Sequence, residues 1–301
     1  MDYAEIYAKF LRRFLKLKAP LRVVFDCSNG TTALIIKKLR NLEIDKLEIK
    51  LINDKPDGNF PAHGPNPMAE NALNNLKRAV KKYRTDLGVI FDADGDRVFF
   101  VDDKGKEIHS DIIAGLIAEN FFGPVILDIR SGYSAREPLS RAKRKVVDSR
   151  VGHYFIKKMM KNKKINFAAE LSGHYYFRDF FYCDSGIFAA IQALNQASDI
   201  KQKGSSLSRY ADSLPGYFSS GEINFRVENK QSLLKKIESR YKKQAKKISH
   251  LDGVKMEFDD WWFNLRPSNT EDVLRLNLQA KREGVYKSKL KEVKKLLLTN
   301  Y

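Results

Sequence analysis

Three aspartates at alternate positions, Asp92, Asp94 and Asp96, follow the apolar run Asp86-Leu87-Gly88-Val89-Ile90-Phe91. The run reads as a buried strand, and in extended backbone alternate side chains share a face, so the three carboxylates can converge on one point. Converging carboxylates repel one another unless a cation lies among them. A hard cation with oxygen ligands, Mg²⁺ first, is the natural occupant. Gly95 allows a tight bend, and Arg97 puts a phosphate-seeking guanidinium beside the ion. The plainer alternative is an acidic turn closing a hairpin into Val98-Phe99-Phe100-Val101. A calcium EF-hand loop needs Gly at its sixth position and Glu at its twelfth, where Arg97 and Asp103 stand.

Three further loops carry groups suited to chemistry. Glu170-Leu171-Ser172-Gly173-His174 offers a carboxylate, a hydroxyl and an imidazole around a glycine, a set suited to sugar hydroxyls. Arg266-Pro267-Ser268-Asn269-Thr270 offers a guanidinium, two hydroxyls and backbone N–H groups in a tight turn, the chemistry of a phosphate cradle. Arg150-Val151-Gly152-His153 leads into a helix, whose first N–H groups would add to the basic pair. Each has a bland counterpart: a surface Glu, an Asn-containing turn, a helix start with a stray His.

The elements that position these loops follow from hydrophobic periodicity. A helix is expected over 4–17, with Ile6, Phe10, Phe14 and Leu17 on one face, then a strand at Leu21–Asp26 and a helix near 31–40. A strand at Leu47–Ile52, a Pro/Gly/Asn-rich loop from Pro56 to Pro67 and a helix near 68–84 lead to the strand before the aspartates. The alternation predicts a mainly parallel α/β sheet with ligands at the carboxyl ends of its strands. The pattern recurs after residue 107: helices near 109–121, 133–142, 152–162 and 185–197 alternate with strands at 125–128, 145–148 and 165–169. Two similar α/β units result, without a sequence repeat strong enough to mark a duplication. Residues 198–216, with Gly204-Ser205-Ser206 and Pro215-Gly216, read as a linker. Beyond it a strand at 221–227, a helix at 230–248, strands near 253–265 and 273–280 and a helix at 284–298 predict an α+β unit.

Composition narrows the class. The 301 residues are long for a single core, and 43% hydrophobic content is that of a globular chain. The net charge of +18 raises nucleic acid as a partner. In 230–248, however, Leu234, Ile237, Tyr241 and Ile248 keep helical spacing while lysines fill the wet face, and no nucleic-acid motif accompanies the charge. No nucleic-acid partner is expected. The two cysteines, Cys27 and Cys183, form no ligand or redox pattern. No signal pattern begins the chain and no apolar stretch is long enough for a bilayer. The expectation is a cytoplasmic protein without a membrane partner.

Taken together and in order, the four loops resemble the α-D-phosphohexomutases, specifically the phosphomannomutase/phosphoglucomutase branch. Asp92-Ala93-Asp94-Gly95-Asp96-Arg97 is similar to that family's Asp-Gly-Asp-Gly-Asp-Arg metal loop, with Ala93 replacing its first Gly. Glu170 to His174 resembles its sugar-recognition loop and Arg266 to Thr270 its phosphate loop. Asp252-Gly253-Val254 with Trp261 to Leu265, and Gly58 to Pro61 with Pro65-Asn66-Pro67, are similar to neighbouring family stretches. The resemblance implies two similar mixed-sheet α/β domains, 1–106 and 107–216, followed by a smaller α+β, TATA-box-binding-protein-like domain at 217–301.

It further implies interconversion of mannose or glucose 1- and 6-phosphates through a hexose 1,6-bisphosphate, which also acts as activator. Asp92, Asp94 and Asp96 would hold Mg²⁺, and Arg97 would contact a phosphoserine. Arg150 and His153 would line the cleft; Glu170, Ser172 and His174 would bind sugar hydroxyls. Arg266, Ser268, Asn269 and Thr270 would grip the phosphate that is not reacting. Asp128-Ile129-Arg130-Ser131 and Ser149-Arg150 depart from the Lys- or Thr-containing variants usual there, and Arg keeps the charge without the acid–base flexibility of Lys. The family's Thr-x-Ser-His-Asn-Pro loop, whose serine carries the phosphoryl group, has no counterpart here; the one Ser-His pair, Ser249-His250, ends a predicted helix. The expectation is therefore domains two to four, inactive until a phosphoserine domain is supplied, as in a split mutase or a truncated gene. The alternatives are a sugar-phosphate-binding protein without turnover and a haloacid-dehalogenase-like Mg²⁺ phosphatase. The latter would use Asp92 and Asp94 as nucleophile and acid, but normally has Thr or Val where Asp96 stands.

Overall fold

A computed structural model describes residues 1–268 and 271–298. The first unit contains α1 (Tyr3–Arg12), β1 (Leu21–Asp26), α2 (Thr32–Asn41), β2 (Leu47–Ile52), α3 (Asn74–Tyr83), β3 (Leu87–Phe91), β4 (Val98–Asp102) and β5 (Glu107–Ile108). The second contains α4 (Ser110–Ala118), β6 (Val125–Asp128), α5 (Tyr133–Arg141), β7 (Val146–Ser149), α6 (His153–Lys163), β8 (Phe167–Ala169), β9 (Tyr175–Phe177) and β10 (Cys183–Asp184). Both follow the order α-β-α-β-α-β-β-β. Their strand orders also agree: β2-β1-β3-β4-β5 in one sheet and β7-β6-β8-β9-β10 in the other. In each, the first three strands pair in parallel and the last two are antiparallel additions. The helices before β3 and β8 even end alike, with Arg84 and Lys164 as left-handed caps.

The central strand β3 is buried at every residue, as an apolar run covered on both faces must be. The two units share one core. Phe25 and Phe91 from the first meet Leu127, Phe167 and Phe177 from the second, with Phe188 of α7 (Gly186–Gln202) between them. Two aromatic contacts tie the segment after α1 and strand β9 to that helix: Phe14 and Phe177 each lie 4.7 Å from the Phe188 ring.

After α7 come α8 (Leu207–Ser213), β11 (Phe218–Phe225), α9 (Lys230–Tyr241), β12 (Lys247–Ser249), β13 (Val254–Glu257), β14 (Trp261–Pro267), β15 (Leu274–Ala280) and α10 (Glu283–Leu298). The sheet, in order β11-β15-β14-β13-β12, is antiparallel throughout. It has its own core, in which Tyr241, Trp261, Leu265 and Leu276 meet. Polar contacts seat it on the second unit: Lys255 Nζ donates to Ile129 O (2.8 Å) and Tyr133 N to Gln279 Oε1 (2.7 Å). This is the expected α/β pair followed by an α+β unit. No helix among the described residues is long and apolar enough to cross a membrane.

Several element boundaries differ from the sequence reading. The first helix stops at Arg12, and α3 begins at Asn74 because 66–73 form successive turns. The expected linker 198–216 is largely helical: α7 runs through to Gln202 and α8 fills 207–213. Ser198 is fully buried there, its Oγ accepting from Lys18 N and Ala19 N and donating to Ala19 O. The helix expected over 230–248 ends at Tyr241, where Gln244 N and Ala245 N turn back onto Tyr241 O. Ser249-His250 accordingly closes an edge strand, not a helix.

Candidate active site

The aspartate loop bridges β3 and β4, at the carboxyl end of β3. Its carboxylate oxygens from Asp92, Asp94 and Asp96 lie within 4.8 Å of one another. Asp92 is buried: Oδ1 accepts from Gly95 N (3.0 Å) and Arg97 N (3.2 Å), and Oδ2 from Arg97 Nε (2.6 Å). Burial pushes its carboxyl up to about 6, with Arg97 pulling the other way and Asp96 adding to the rise. Asp96 is held below the ordinary range, chiefly by His174. Gly95 has φ +79°, and a Cβ there would lie 2.2 Å from Thr32 Cγ2, so the bend requires glycine. Two other segments grip the loop. Ala93 N donates to Pro65 O (3.1 Å), Thr31 N to Ala93 O (3.0 Å) and Arg97 Nη1 to Asn66 Oδ1 (3.3 Å). Asp94, by contrast, is exposed. The donor set consists of oxygen atoms alone, and each carboxylate keeps unused lone pairs, so these residues fit a hard divalent ion.

The second unit brings its equivalent loop to the same place. Arg97 directly precedes β4 and His174 directly precedes β9, and the two pair as an antiparallel bridge, with Val98 N donating to Gly173 O (3.1 Å). Equivalent positions paired in this way relate the two loops by a local twofold. The start of α7 locks the junction, since Gly186 N donates to Gly95 O (2.9 Å). A Cβ on Gly186 would lie 2.7 Å from that same oxygen.

Glu170 is buried and held in place, its Oε1 accepting from Gly152 N (2.9 Å) and its Oε2 from Tyr176 OH (2.5 Å). Ser172 Oγ meets His174 Nδ1 (3.0 Å), and His174 Nε2 lies 3.4 Å from Asp96 Oδ2. His153 opens α6 beside it, with ring centroids 4.6 Å apart, and its Nδ1 is 2.5 Å from Asp184 Oδ2. That carboxylate holds the His153 imidazole above its usual range. Asp184 is held far below the carboxylate range: burial opposes this, but His153 and Lys157 prevail. Arg150 turns elsewhere. Its guanidinium lies over the Phe155 ring (4.3 Å) and lines a cavity of about 490 Å³ with Asp252, Gly253 and Pro267.

On the C-terminal side, Arg266 is buried, with Nη2 donating to Glu222 Oε2 (3.0 Å) and Nε without a hydrogen-bond partner among the described residues. Ser268 N donates to Val273 O (2.9 Å), and its Oγ accepts from Glu271 N (3.2 Å). Asn269 and Thr270 lie outside the described residues. Two arginines not assigned to the cradle from sequence join Arg266 on Glu222: Arg275 Nη1 at 3.1 Å and Arg130 Nη1 at 3.4 Å. Arg266 and Arg275 face each other across β14 and β15. Like charges in that position repel unless an anion lies between them. That cross-strand pair was the available signal. Burial would raise Glu222, yet the three guanidinium groups hold it low.

Arg130 joins the two halves of the site. Its Nη2 pairs with Asp128 (2.9 Å) and approaches Glu170 Oε1 (3.9 Å) while Nη1 reaches Glu222. A continuous polar chain thus runs Asp96–His174–Glu170–Arg130–Glu222–Arg266. Side chains from loops far apart in sequence therefore meet in one polar network.

Three family models match in this order: phosphoglucomutase/phosphomannomutase alpha/beta/alpha domain II over residues 3–105, domain III over 109–217 and the C-terminal domain over 222–295. The chain belongs to the phosphoglucomutase/phosphomannomutase family. It is 39% identical to a phosphomannomutase of Methanocaldococcus jannaschii across 99% of this chain and 66% of that protein. A phosphoglucomutase/phosphomannomutase family protein of Burkholderia thailandensis shares the fold, with a TM-score of 0.86 at 24% identity over 99% of this chain and 65% of that one. Aspergillus fumigatus N-acetylphosphoglucosamine mutase, solved with GlcNAc-6P and magnesium, has a TM-score of 0.67 at 17% identity, covering 98% of this chain and 69% of that one. The chain thus spans just under two thirds of the length of the first two. Family membership leaves the dehalogenase-like phosphatase without support.

Proposed function

We propose that these 301 residues hold the ion, the sugar and the distal phosphate for a phosphomannomutase/phosphoglucomutase-type reaction. The reaction interconverts hexose 1- and 6-phosphates through a hexose 1,6-bisphosphate. The supporting observation is the polar chain from Asp96 to Arg266, which joins an acidic loop at one end to an arginine cluster at the other. We assign the three domains to 1–106, 107–216 and 217–301. The phosphoryl-carrying serine belongs to a segment outside these residues, on the same or another polypeptide.

Asp92, Asp94 and Asp96 hold Mg²⁺ in this reading, as the magnesium-bound Aspergillus fumigatus mutase leads one to expect. The ion supplies offsetting charge for the transferring phosphoryl group. Arg97, fixed by Asp92, faces the phosphoserine. Glu170, Ser172 and His174 take sugar hydroxyls and His153 lines the approach, while Arg150 lines the separate cavity beside Asp252 and Pro267. At the arginine cluster, Arg266, Ser268, Asn269 and Thr270, joined by Arg275, bind the phosphate that is not reacting. The acidic loop and the arginine cluster stay fixed while the bisphosphate turns between them, which is catalysis by positioning.

Calorimetry on this chain tests the reading. Mannose 6-phosphate and glucose 6-phosphate should bind measurably and unphosphorylated mannose should not. Equal binding of mannose and its phosphate would sink it.

A further inference from the structure

We propose that Asp96, His153, His174 and Asp184 form a second divalent-cation site beside the aspartate loop, suited to zinc or a similar first-row transition ion. The ligand atoms of these four residues lie within 4.8 Å of one another. Two imidazoles with two carboxylates form a borderline donor set, which favours Zn²⁺ over the oxygen-seeking Mg²⁺. The spacing is close to what such an ion needs, since bonds of about 2.0–2.1 Å put neighbouring tetrahedral ligands about 3.4 Å apart. His174 Nε2 and Asp96 Oδ2 are 3.4 Å apart. His153 Nδ1 and Asp184 Oδ2 are 2.5 Å apart, and an ion between them would open that pair by about 1 Å.

Two independent contacts support the assignment. Lys157 Nζ takes Asp184 Oδ1 at 2.8 Å, which leaves the buried Oδ2 turned toward His153, with no aligned hydrogen bond among the described residues. Ser172 Oγ and Glu170 Oε2 lie 3.0 and 3.6 Å from His174 Nδ1. Outer partners of this kind fix a ligating imidazole's tautomer, here leaving Nε2 toward Asp96. Asp96 belongs to both ligand sets. A transition ion held by the histidines therefore draws Asp96 away from the trio and antagonises Mg²⁺. Only this antagonism rests on the Mg²⁺ reading above.

The test is a Co²⁺ titration of the chelator-treated chain. Wild type should develop the intense visible bands of tetrahedral Co²⁺, bleached stoichiometrically by Zn²⁺. His153→Ala and Asp184→Asn should abolish the bands and weaken Zn²⁺ by more than about a hundredfold, since even outer-shell losses cost about 10–100-fold. Asp94→Ala, outside the set, should keep the bands. Thermal unfolding checks that each variant folds, and His153→Gln replaces His153→Ala if the latter does not. The assignment is overturned if wild type shows no tetrahedral bands, or if folded His153 and Asp184 variants retain them. Failure of the Mg²⁺ reading appears separately, as Mg²⁺ binding that Asp94→Ala leaves unchanged.

Discussion

Glu222→Gln and Arg266→Ala act on the same ion cluster and should move hexose-phosphate binding in opposite directions. In the free chain the Glu222 carboxylate takes Arg266 at 3.0 Å and Arg275 at 3.1 Å and meets Arg130 at 3.4 Å. Arg130 also has Asp128, and Arg275 also has Glu271, so the three guanidinium groups are already matched by carboxylates. An incoming phosphate monoester competes with Glu222. Two unit charges about 4 Å apart repel by about 4 kcal/mol at an effective dielectric of 20. Glu222 is 24% exposed, so solvent screening lowers this to about 1–2 kcal/mol. Removing the charge should therefore tighten mannose 6-phosphate binding about tenfold. Arg266→Ala removes a charge-assisted hydrogen bond of about 1.5–3 kcal/mol and should weaken binding about tenfold to a hundredfold. Both variants should lower the melting temperature, because each breaks a partly buried ion pair. Isothermal calorimetry, with unphosphorylated mannose as control, measures the binding. If both variants weaken binding in step with their loss of stability, the cluster is scaffold and not a phosphate site.

The remaining predictions concern metal and stability. Mg²⁺ should bind weakly to this chain, without the phosphate that would complete its coordination, and Asp94→Ala should abolish it. Burial raises the Asp92 carboxyl to about 6, so the stability contributed by its neutral form is complete below the ordinary carboxylate range and is lost as pH rises through about 6. Mg²⁺ needs the ionised trio, so its affinity should run the other way and fall as pH drops through about 6; calorimetry on either side of that value checks this. Ser198→Ala strips partners from Lys18 N, Ala19 N and Ala19 O in a buried site. It should cost about 1–3 kcal/mol, read as a lower denaturant midpoint with unchanged slope.

Much of the architecture was legible because it follows from short-range pattern. The run Leu87–Phe91 reads as a buried strand and is one, and Asp92, Asp94 and Asp96 converge as expected but by a different route: residues 93–96 bend at Gly95 instead of continuing the extended alternation. The matching topology of the two α/β units was not legible as a repeat, because strand order depends on which apolar strips pair and tolerates wholesale change of residues. The 198–216 stretch misled because Gly204-Ser205-Ser206 and Pro215-Gly216 suggest a loop, while the turns they make merely flank α8. The Glu222 cluster was hidden for a different reason. Arg130, Glu222 and Arg275 come from separate segments, and a β-bulge between Ser219 and Glu222 resets the alternation that would have predicted which way Glu222 points.

Reconstitution tests the central claim most directly. The 301-residue chain is assayed for conversion of mannose 1-phosphate to mannose 6-phosphate with Mg²⁺ and a hexose 1,6-bisphosphate primer. It is run alone and with a separately expressed phosphoserine domain from a related mutase. The expected result is no turnover alone and turnover once the serine domain is added, with Arg266→Ala reducing it. Robust turnover by the chain alone would contradict the account, since it would require a phosphoryl carrier among residues assigned here only to holding the ion, the sugar and the phosphate.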